Sequence, residues 1–243
     1  MTAEAKKRKG KGATALYVVL GIILILVGFI PVAGGAVILV FSRSEDSNGY
    51  HLSNTYQMNT STYAFAMAMS PMQVESFYGR MAQSLFGEES TVEAEWVITP
   101  VNSSKAVFTG WAPHSASENY INTMEMELPT YWHWSGPYRP ALTIQTTVIS
   151  GQGLGGPASP AAQNFWLASA HSSSTFTLDF NPVWDSSRGN NYLIITNMDG
   201  SQGVAANLTL GYKIPIFNWL GYVLIPIGIF IFACGILLLR KKS

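Results

Sequence analysis

The sequence has few charged residues, a single cysteine and none of the common catalytic motifs. Charged residues make up 12% of the 243 positions, half of the roughly 25% typical of soluble globular domains. No G-x-S-x-G, H-E-x-x-H or Walker sequence occurs, so we expect no enzyme of those classes. Because Cys234 stands alone, no disulfide can form within the chain. A net charge of zero gives no overall basic footprint, so we expect no nucleic-acid partner.

Long uncharged runs occupy the two ends of the chain. Ala13–Ser42 contains 30 residues without a charge, and Ile214–Leu239 contains 26. Because about 20 apolar residues cross a bilayer as a helix, both runs are predicted transmembrane helices. For the first run a cleaved signal peptide is the alternative, since a basic flank precedes it and Ala33–Ala36 offers small residues. The apolar run continues through Val37–Phe41, which favours an uncleaved anchor.

Charge is distributed asymmetrically about these two runs. The terminal flanks carry eight cations and one acid, a charge of +7, whereas the region between the runs carries six cations and thirteen acids, a charge of −7. Because cytoplasmic flanks are enriched in Lys and Arg, both termini are predicted to be cytoplasmic and the protein to reside in the cell membrane, with the lipid bilayer as a partner. The predicted organisation is a basic tail (1–12), a transmembrane helix (13–42), an extracytoplasmic domain (43–213), a second transmembrane helix (214–239) and a basic tail (240–243).

Glycines recur every seven residues in both predicted spans. They are Gly21, Gly28 and Gly35 in the first span and Gly221, Gly228 and Gly235 in the second. A seven-residue period keeps one seam facing a partner helix, and small residues let helix backbones approach closely in lipid. Antiparallel alignment matches the depths of the two triplets, so we predict an antiparallel hairpin. A homodimer through the same seam and the general abundance of glycine in membrane helices are the alternatives.

Short runs of alternating residues dominate the region between the spans. The runs are Thr62–Met69, Val92–Ile98, Ala141–Ser150, Ser174–Phe180, Asn191–Asn197 and Val204–Tyr212. A period of two with turn residues between runs predicts an all-β sandwich. Asp199-Gly200 predicts a tight hairpin between Tyr192–Met198 and Gly203–Leu210. The capping-box spacing of Ser115–Glu118 predicts one short helix.

The order of short motifs along the chain resembles that of a known family. The motifs are Gly49-Tyr50, Thr62-Tyr63-Ala64, Val107-Phe108-x-Gly110-x-Ala112-Pro113, Tyr120, Phe165-Trp166-x-Ala168-Ser169 and Asn197-x-Asp199-Gly200-Ser201-x-Gly203-Val204. Together they resemble two-span prokaryotic membrane proteins of uncharacterised function, common in actinobacteria. The resemblance implies two membrane spans and an extracytoplasmic β-domain. It implies no activity, and the Trp-rich segment near Tyr131–Trp134 departs from the family pattern.

Methionine spacing suggests one candidate metal site. Met67, Met69 and Met72 combine the M-x-M and M-x-x-M spacings. Thioethers select Cu(I) over hard cations, so an extracytoplasmic copper-handling protein is the alternative function. The other interpretation is core filling, because Tyr63 and Phe65 continue the same strand face and methionine packs well in cores. No other cofactor is predicted.

An aromatic stretch supplies a candidate partner surface. It comprises Tyr131, Trp132, Trp134, Tyr138 and Arg139. Trp, Tyr and Arg anchor protein interfaces, although the same rings could equally belong to the core. Our preferred hypothesis is therefore a non-enzymatic, membrane-anchored binding or assembly module. It would be an envelope protein or an accessory subunit of a membrane complex, with a protein partner or a homo-oligomer.

The remaining polar patterns have ordinary interpretations. Glu75, Glu88, Glu89, Glu93 and Glu95 form an acidic patch. A solvated strand face is expected there, and a pair of acids for glycoside cleavage ranks last. The four histidines, His51, His114, His133 and His171, lack metal-ligand spacing. Glycosylation sequons begin at Asn59, Asn102 and Asn207, which fits an outward-facing domain.

Overall fold

The computed structural model describes residues 3–69, 93–135, 141–151, 159–180 and 191–240. They form two compact units, one made by the terminal segments up to Ser44 and from Ile216, the other by Glu45–Pro215. In chain order the elements are α1 (Ala3–Ser42), β1 (His51–Leu52), β2 (Tyr56–Asn59), β3 (Ala64–Met69), β4 (Glu93–Pro100), β5 (Val107–Pro113), α2 (His114–Asn122), β6 (Met126–Ser135), β7 (Ala141–Ile149), a 3-10 turn (Pro160–Ala162), β8 (Ala168–Ser172), β9 (Phe176–Phe180), β10 (Asn191–Asn197), β11 (Ala205–Lys213) and α3 (Phe217–Arg240).

The terminal helices are long and apolar enough to cross a membrane. Their apolar parts are Ala15–Ser42 in α1 and Trp219–Arg240 in α3. Most of their side chains are exposed within this unit, and Phe230, for example, is 70% exposed. The helix α1 extends back to Ala3 through the basic tail, because Ala, Lys and Arg favour helix. The predicted terminal helices are thus confirmed as candidate membrane spans.

The central unit contains two β-sheets, as the alternating runs predict. One sheet has the order β1-β11-β4-β9, with β2 also paired to β11, and the other has the order β7-β6-β3-β10-β5-β8. All of these pairings are antiparallel except β3 with β6, which is parallel. One apolar core joins the two sheets, with Trp96 and Leu208 from the first and Phe65 and Leu193 from the second. This arrangement is sandwich-like.

The central strands β3 and β10 of the six-stranded sheet contribute residues to apolar clusters on both faces. Along β3, Phe65 belongs to the core between the sheets, whereas Ala64 and Ala66 belong to a second cluster with Tyr120 of α2 and Met124. The small alanines leave room for the helix on the outer face. The alternation of large and small residues in β3 therefore reflects two apolar environments, not one apolar and one solvated face.

The predicted short helix is confirmed, but the capping box is not formed. The helix α2 begins at His114, directly after β5, and its N-cap is Pro113 without a side-chain hydrogen bond. Ser115 therefore lies inside the helix instead of at its cap. The hydroxyl of Ser117 donates to the carbonyl of Pro113 at 2.9 Å. The strand end sets the helix start, since Pro113 already supplies extended backbone geometry there.

The predicted Asp199-Gly200 hairpin is wrong, because β10 and β11 belong to different sheets. The Asp-Gly turn itself forms, with the Ser201 amide donating to Oδ1 of Asp199 at 2.9 Å. A second bend follows at Gly203, whose φ of +79° favours glycine and whose amide donates to the Thr62 carbonyl at 3.0 Å. This second bend directs the chain into the other sheet instead of back along β10.

Candidate functional site

The candidate copper ligands are described only in part. The side chain of Met67 is 0% exposed and belongs to the core between the sheets, next to Leu193 of β10. Met69 ends β3, but its side chain and all of Met72 lie outside the described residues. The thioether of Met67 therefore packs as a core residue, and a copper site there would require the core to open.

The predicted aromatic surface is likewise only partly described. Tyr131 lies on β6 opposite Gln145 of β7, and its side chain is 50% exposed. Trp132 and Trp134 occupy the next positions of β6, but their side chains lie outside the described part of the chain, as do Tyr138 and Arg139 entirely. Tyr131 is therefore the one member of this group whose exposure is established.

Three histidines lie against three different aromatic rings. His51 packs on Tyr212 with ring centroids 5.1 Å apart, and His114 packs on Tyr192 at 5.0 Å. His171 stacks on Phe108 at 6.5 Å. Across the described ranges, no group of three or more His, Cys, Asp or Glu residues could hold a metal ion.

The three sequon asparagines differ in exposure. Asn59 and Asn102 are exposed, and Oδ1 of Asn102 accepts hydrogen bonds from the amide and hydroxyl of Ser104. Asn207 is half-buried in β11, with a buried side-chain oxygen. The first two asparagines are therefore the accessible ones.

The two terminal helices approach each other at the predicted glycines. A Cβ placed on Gly28 would lie 2.6 Å from the backbone nitrogen of Phe232 and 2.8 Å from the carbonyl oxygen of Gly228. The corresponding positions on Gly21 and Gly35 would lie 3.0 Å from the carbonyl oxygens of Gly235 and Gly221, respectively. By contrast, Gly34 has open space around it. Any larger residue at Gly28 would therefore push against backbone, which cannot yield as a flexible side chain can.

A cluster of charged residues lies at one end of the five-stranded sheet, on the face opposite the core. Its centre is Glu95, which the strand alternation places on a solvated face but which is only 3% exposed. That expectation is therefore wrong for Glu95. The reason is local: a Cβ on Gly211 of β11 would lie 2.9 Å from Cγ of Glu95 and 3.1 Å from Cδ2 of Leu52. The side chains of Glu95 and Leu52 thus lie together above Gly211, and Leu52 shields Glu95 from solvent. Glu75, Glu88 and Glu89 of the predicted patch lie outside the described residues.

The neighbours of Glu95 are mostly acidic. Asp179 of β9 is its strand partner, and Glu93 lies two residues before it on the same face of β4. Among the described residues, the cation beside them is Lys213, whose Nζ lies 3.5 Å from Oε2 of Glu93. The charge of Asp46, which precedes β1, also acts on Glu95, and we call Asp46, Glu93, Glu95 and Asp179 the carboxylate cluster.

Residues 45–50, here called the entry loop, lie beside this cluster and connect α1 to β1. Oδ1 of Asp46 accepts hydrogen bonds from the amides of Asn48 and Tyr50, both at 2.9 Å. Gly49 adopts a φ of +84°, which closes the loop tightly. The ammonium of Lys213 lies 5.4 Å from the centre of the Tyr50 ring, within cation–π range. Hydrogen bonds to Asp46 therefore hold the loop together, and the contact of Tyr50 with Lys213 holds the loop against β11.

Burial shifts the pKa values of the groups around this loop. Desolvation, with the charges of Asp46 and Asp179 acting in the same direction, raises the pKa of Glu95 to about 7, and Lys213 opposes the rise. Desolvation and nearby acids likewise raise the pKa of Tyr50 to about 12. On the core face, burial lowers the pKa of His51 to about 4, against an opposing effect of Asp46. His51 is therefore neutral at pH 7, with its Nε2 3.3 Å from Oε1 of Glu45.

The sequence patterns do not predict this grouping. Strand alternation places Glu95 on a solvated face, and Lys213 is the last residue of the predicted extracytoplasmic domain. The available signal was weak: Gly49-Tyr50 stands among the motifs of the family resemblance, and a lysine precedes the second apolar run. These two segments come together only through the pairing of β1 with β11, in which His51 lies opposite Tyr212.

Comparison of the chain with family models, curated proteins and solved structures gives no match. The resemblance drawn from the sequence motifs stays a prediction.

Proposed function

We propose that this protein is a membrane-anchored binding or assembly module, which displays its β-domain outside the cytoplasm on a hairpin of two transmembrane helices. One observation carries the proposal: a single chain bears two long apolar helices on either side of a separately packed β-domain. Exposed apolar side chains along both helices suit a lipid environment. The proposed role is that of an envelope protein or an accessory subunit of a membrane complex.

The hairpin is supported by the close glycine contacts between α1 and α3. Helices associate in lipid through tight packing of small residues, because the hydrophobic effect offers no driving force there. Three such contacts, at Gly21, Gly28 and Gly35, repeat along the length of the helix pair.

The proposed topology is tested by labelling single cysteines with a membrane-impermeant maleimide in intact cells. In a Cys234→Ala background, Ser103→Cys reports on the exposed turn after β4, and Ser243→Cys reports on the C-terminal tail. We expect Ser103→Cys to be labelled in intact cells and Ser243→Cys only after permeabilisation. The reverse pattern would exclude the proposed orientation, and labelling at both sites would exclude a second membrane span.

The binding role is tested by photo-crosslinking in native membranes. A photoreactive phenylalanine at the exposed Tyr131 probes the candidate partner surface, and one at the exposed Val101 serves as the matched control. We expect one discrete adduct from position 131 and none from position 101. An adduct with the mass of two chains would identify a homo-oligomer. If neither position gives an adduct and the purified protein runs as a monomer, the assembly role is wrong.

A further inference from the structure

The entry loop and the carboxylate cluster together form a device that responds to protons. We propose that the entry loop is a proton-controlled strap: it is closed against β11 while Glu95 is protonated, and it loosens when Glu95 ionises. The strap is a property of the β-domain alone. It does not depend on the proposed binding role, so the two can fail separately.

The charges that face Glu95 come from every element packed around it. They are Glu93 from β4, Asp179 from β9, Lys213 from β11, and Asp46 with the Tyr50 phenol from the entry loop, while β1 contributes the apolar Leu52. Within the described part of the chain, three carboxylates and one ammonium surround Glu95 while it is neutral. When it ionises, a fourth negative charge is added, and this charge is almost completely removed from water. An ionised carboxylate that is buried among other acids is stabilised when water reaches it.

The loop is the part of this site that can respond, because one of its own residues couples it to Glu95. The carboxylate of Asp46 accepts two of the hydrogen bonds that close the loop, and the same carboxylate repels an ionised Glu95. Lys213 is also shared, since it pairs with Glu93 and lies over the Tyr50 ring. An ionised Glu95 competes for Lys213 and repels Asp46. The Lys213–Tyr50 contact and the hydrogen bonds to Asp46 therefore weaken together. The strands beneath are held by their backbone ladders and have no comparable freedom.

Hydrogen exchange in the full chain in detergent micelles tests the strap directly. The reporters are the amides of Asn48, Gly49 and Tyr50, which donate within the loop to the side chain or the carbonyl of Asp46. After correction for intrinsic exchange, we expect their protection to fall about tenfold between about pH 6 and about pH 8. Protection that stays constant across this range would overturn the proposal.

Three variants distinguish the strap from a general effect of pH. Glu95→Gln should keep the loop protected at every pH, because the amide cannot ionise. Asp179→Asn removes a repelling charge, so it should lower the pKa of Glu95 and move the midpoint of opening to lower pH. Lys213→Gln removes the attracting charge and should move the midpoint to higher pH. Asp199→Asn, an exposed acid in the turn after β10, should leave it unchanged.

These outcomes decide the proposal even if Glu95→Gln does not fold. Opposite shifts of the midpoint in Asp179→Asn and Lys213→Gln support control by Glu95. Shifts in the same direction, no shift in either variant, or a persistent transition in a folded Glu95→Gln variant would each overturn it. A shift in the Asp199→Asn control would show a non-specific charge effect and would overturn it as well.

Discussion

Replacing Glu95 with glutamine should stabilise the protein at alkaline pH and have little effect at acidic pH. Glu95 is 3% exposed, and its burial, with the charges of Asp46 and Asp179 acting in the same direction, raises its pKa from 4.5 to about 7. Between these two values the folded protein holds a proton on Glu95 that the unfolded chain has released. The free energy of unfolding therefore falls as pH rises through this window, and it stays lowered above it.

The pKa shift sets the size of the effect. Each pKa unit corresponds to about 1.4 kcal/mol, so a rise from 4.5 to about 7 gives a ceiling of about 3 kcal/mol at pH 8. Opening of the entry loop would hydrate the charge and reduce the penalty, so we expect a gain of about 1–3 kcal/mol for Glu95→Gln at pH 8. At pH 5 the carboxyl group is protonated in the folded state, and the gain should shrink towards zero.

Urea unfolding of the full chain in micelles, followed by tryptophan fluorescence, measures this difference at several pH values. Urea is uncharged, so it leaves the electrostatic interactions unscreened. The control is Asp199→Asn, since hydrogen bonds from Ser201 lower the pKa of Asp199. Its contribution to stability has the opposite sign, being present at neutral pH and lost in acid. A gain for Glu95→Gln that is independent of pH, or that grows towards acid, would refute the reasoning.

Three further predictions concern other parts of the molecule. Gly28→Leu should separate the two terminal helices, because its Cβ would lie 2.6 Å from the backbone of the other helix, whereas Gly34→Leu should not, because Gly34 has open space around it. Distances between spin labels on the two helices, measured in liposomes, would show the difference. Equal effects of the two variants would contradict the glycine contacts between the helices. His51, whose pKa is lowered to about 4, should stay neutral down to about pH 4 in an imidazole ¹⁵N NMR titration, and stability should fall as pH drops from 6.5 through that value; a midpoint near 6.5 would contradict its buried environment. Met67→Leu should leave the affinity for Cu(I) unchanged in a chelator competition assay, because the thioether is packed in the core; a large loss of affinity would restore the copper hypothesis.

Local patterns in the sequence predicted both terminal helices and six of the eleven described strands, but not β1, β2, β5, β6 or β8. The run Asn191–Asn197 matches β10 residue for residue, and the two uncharged runs correspond to the two terminal helices. Hydrophobic periodicity reports on which face of a segment is buried, and this information is local. The short helix after β5 was predicted from a capping-box spacing; the helix forms, but the capping box does not.

Sheet membership and the charged cluster were beyond local patterns. Asp199-Gly200 has the sequence of a hairpin turn. Two hydrogen bonds nevertheless direct the chain into the other sheet: the Gly203 amide donates to Thr62, and the Asn197 side chain donates to Ser201. Glu95 alternates correctly with the core residues of β4, yet it is buried by Leu52, more than 40 residues upstream. Only the pairing of strands remote in sequence reveals these contacts.

The positions of β10 and β11 within their sheets constrain how this domain can be synthesised. Each is an interior strand: β10 lies between β3 and β5, and β11 lies between β1 and β4. They are also the last two strands that the structure describes, so the strands before them lack their central partners until residue 213 has been synthesised. Contacts of such long sequence separation form slowly. In a nascent chain, both sheets would therefore lack their central strands until β11 has been synthesised. Truncation before Asn191 should leave a chain without either sheet complete, a substrate for chaperones and proteases.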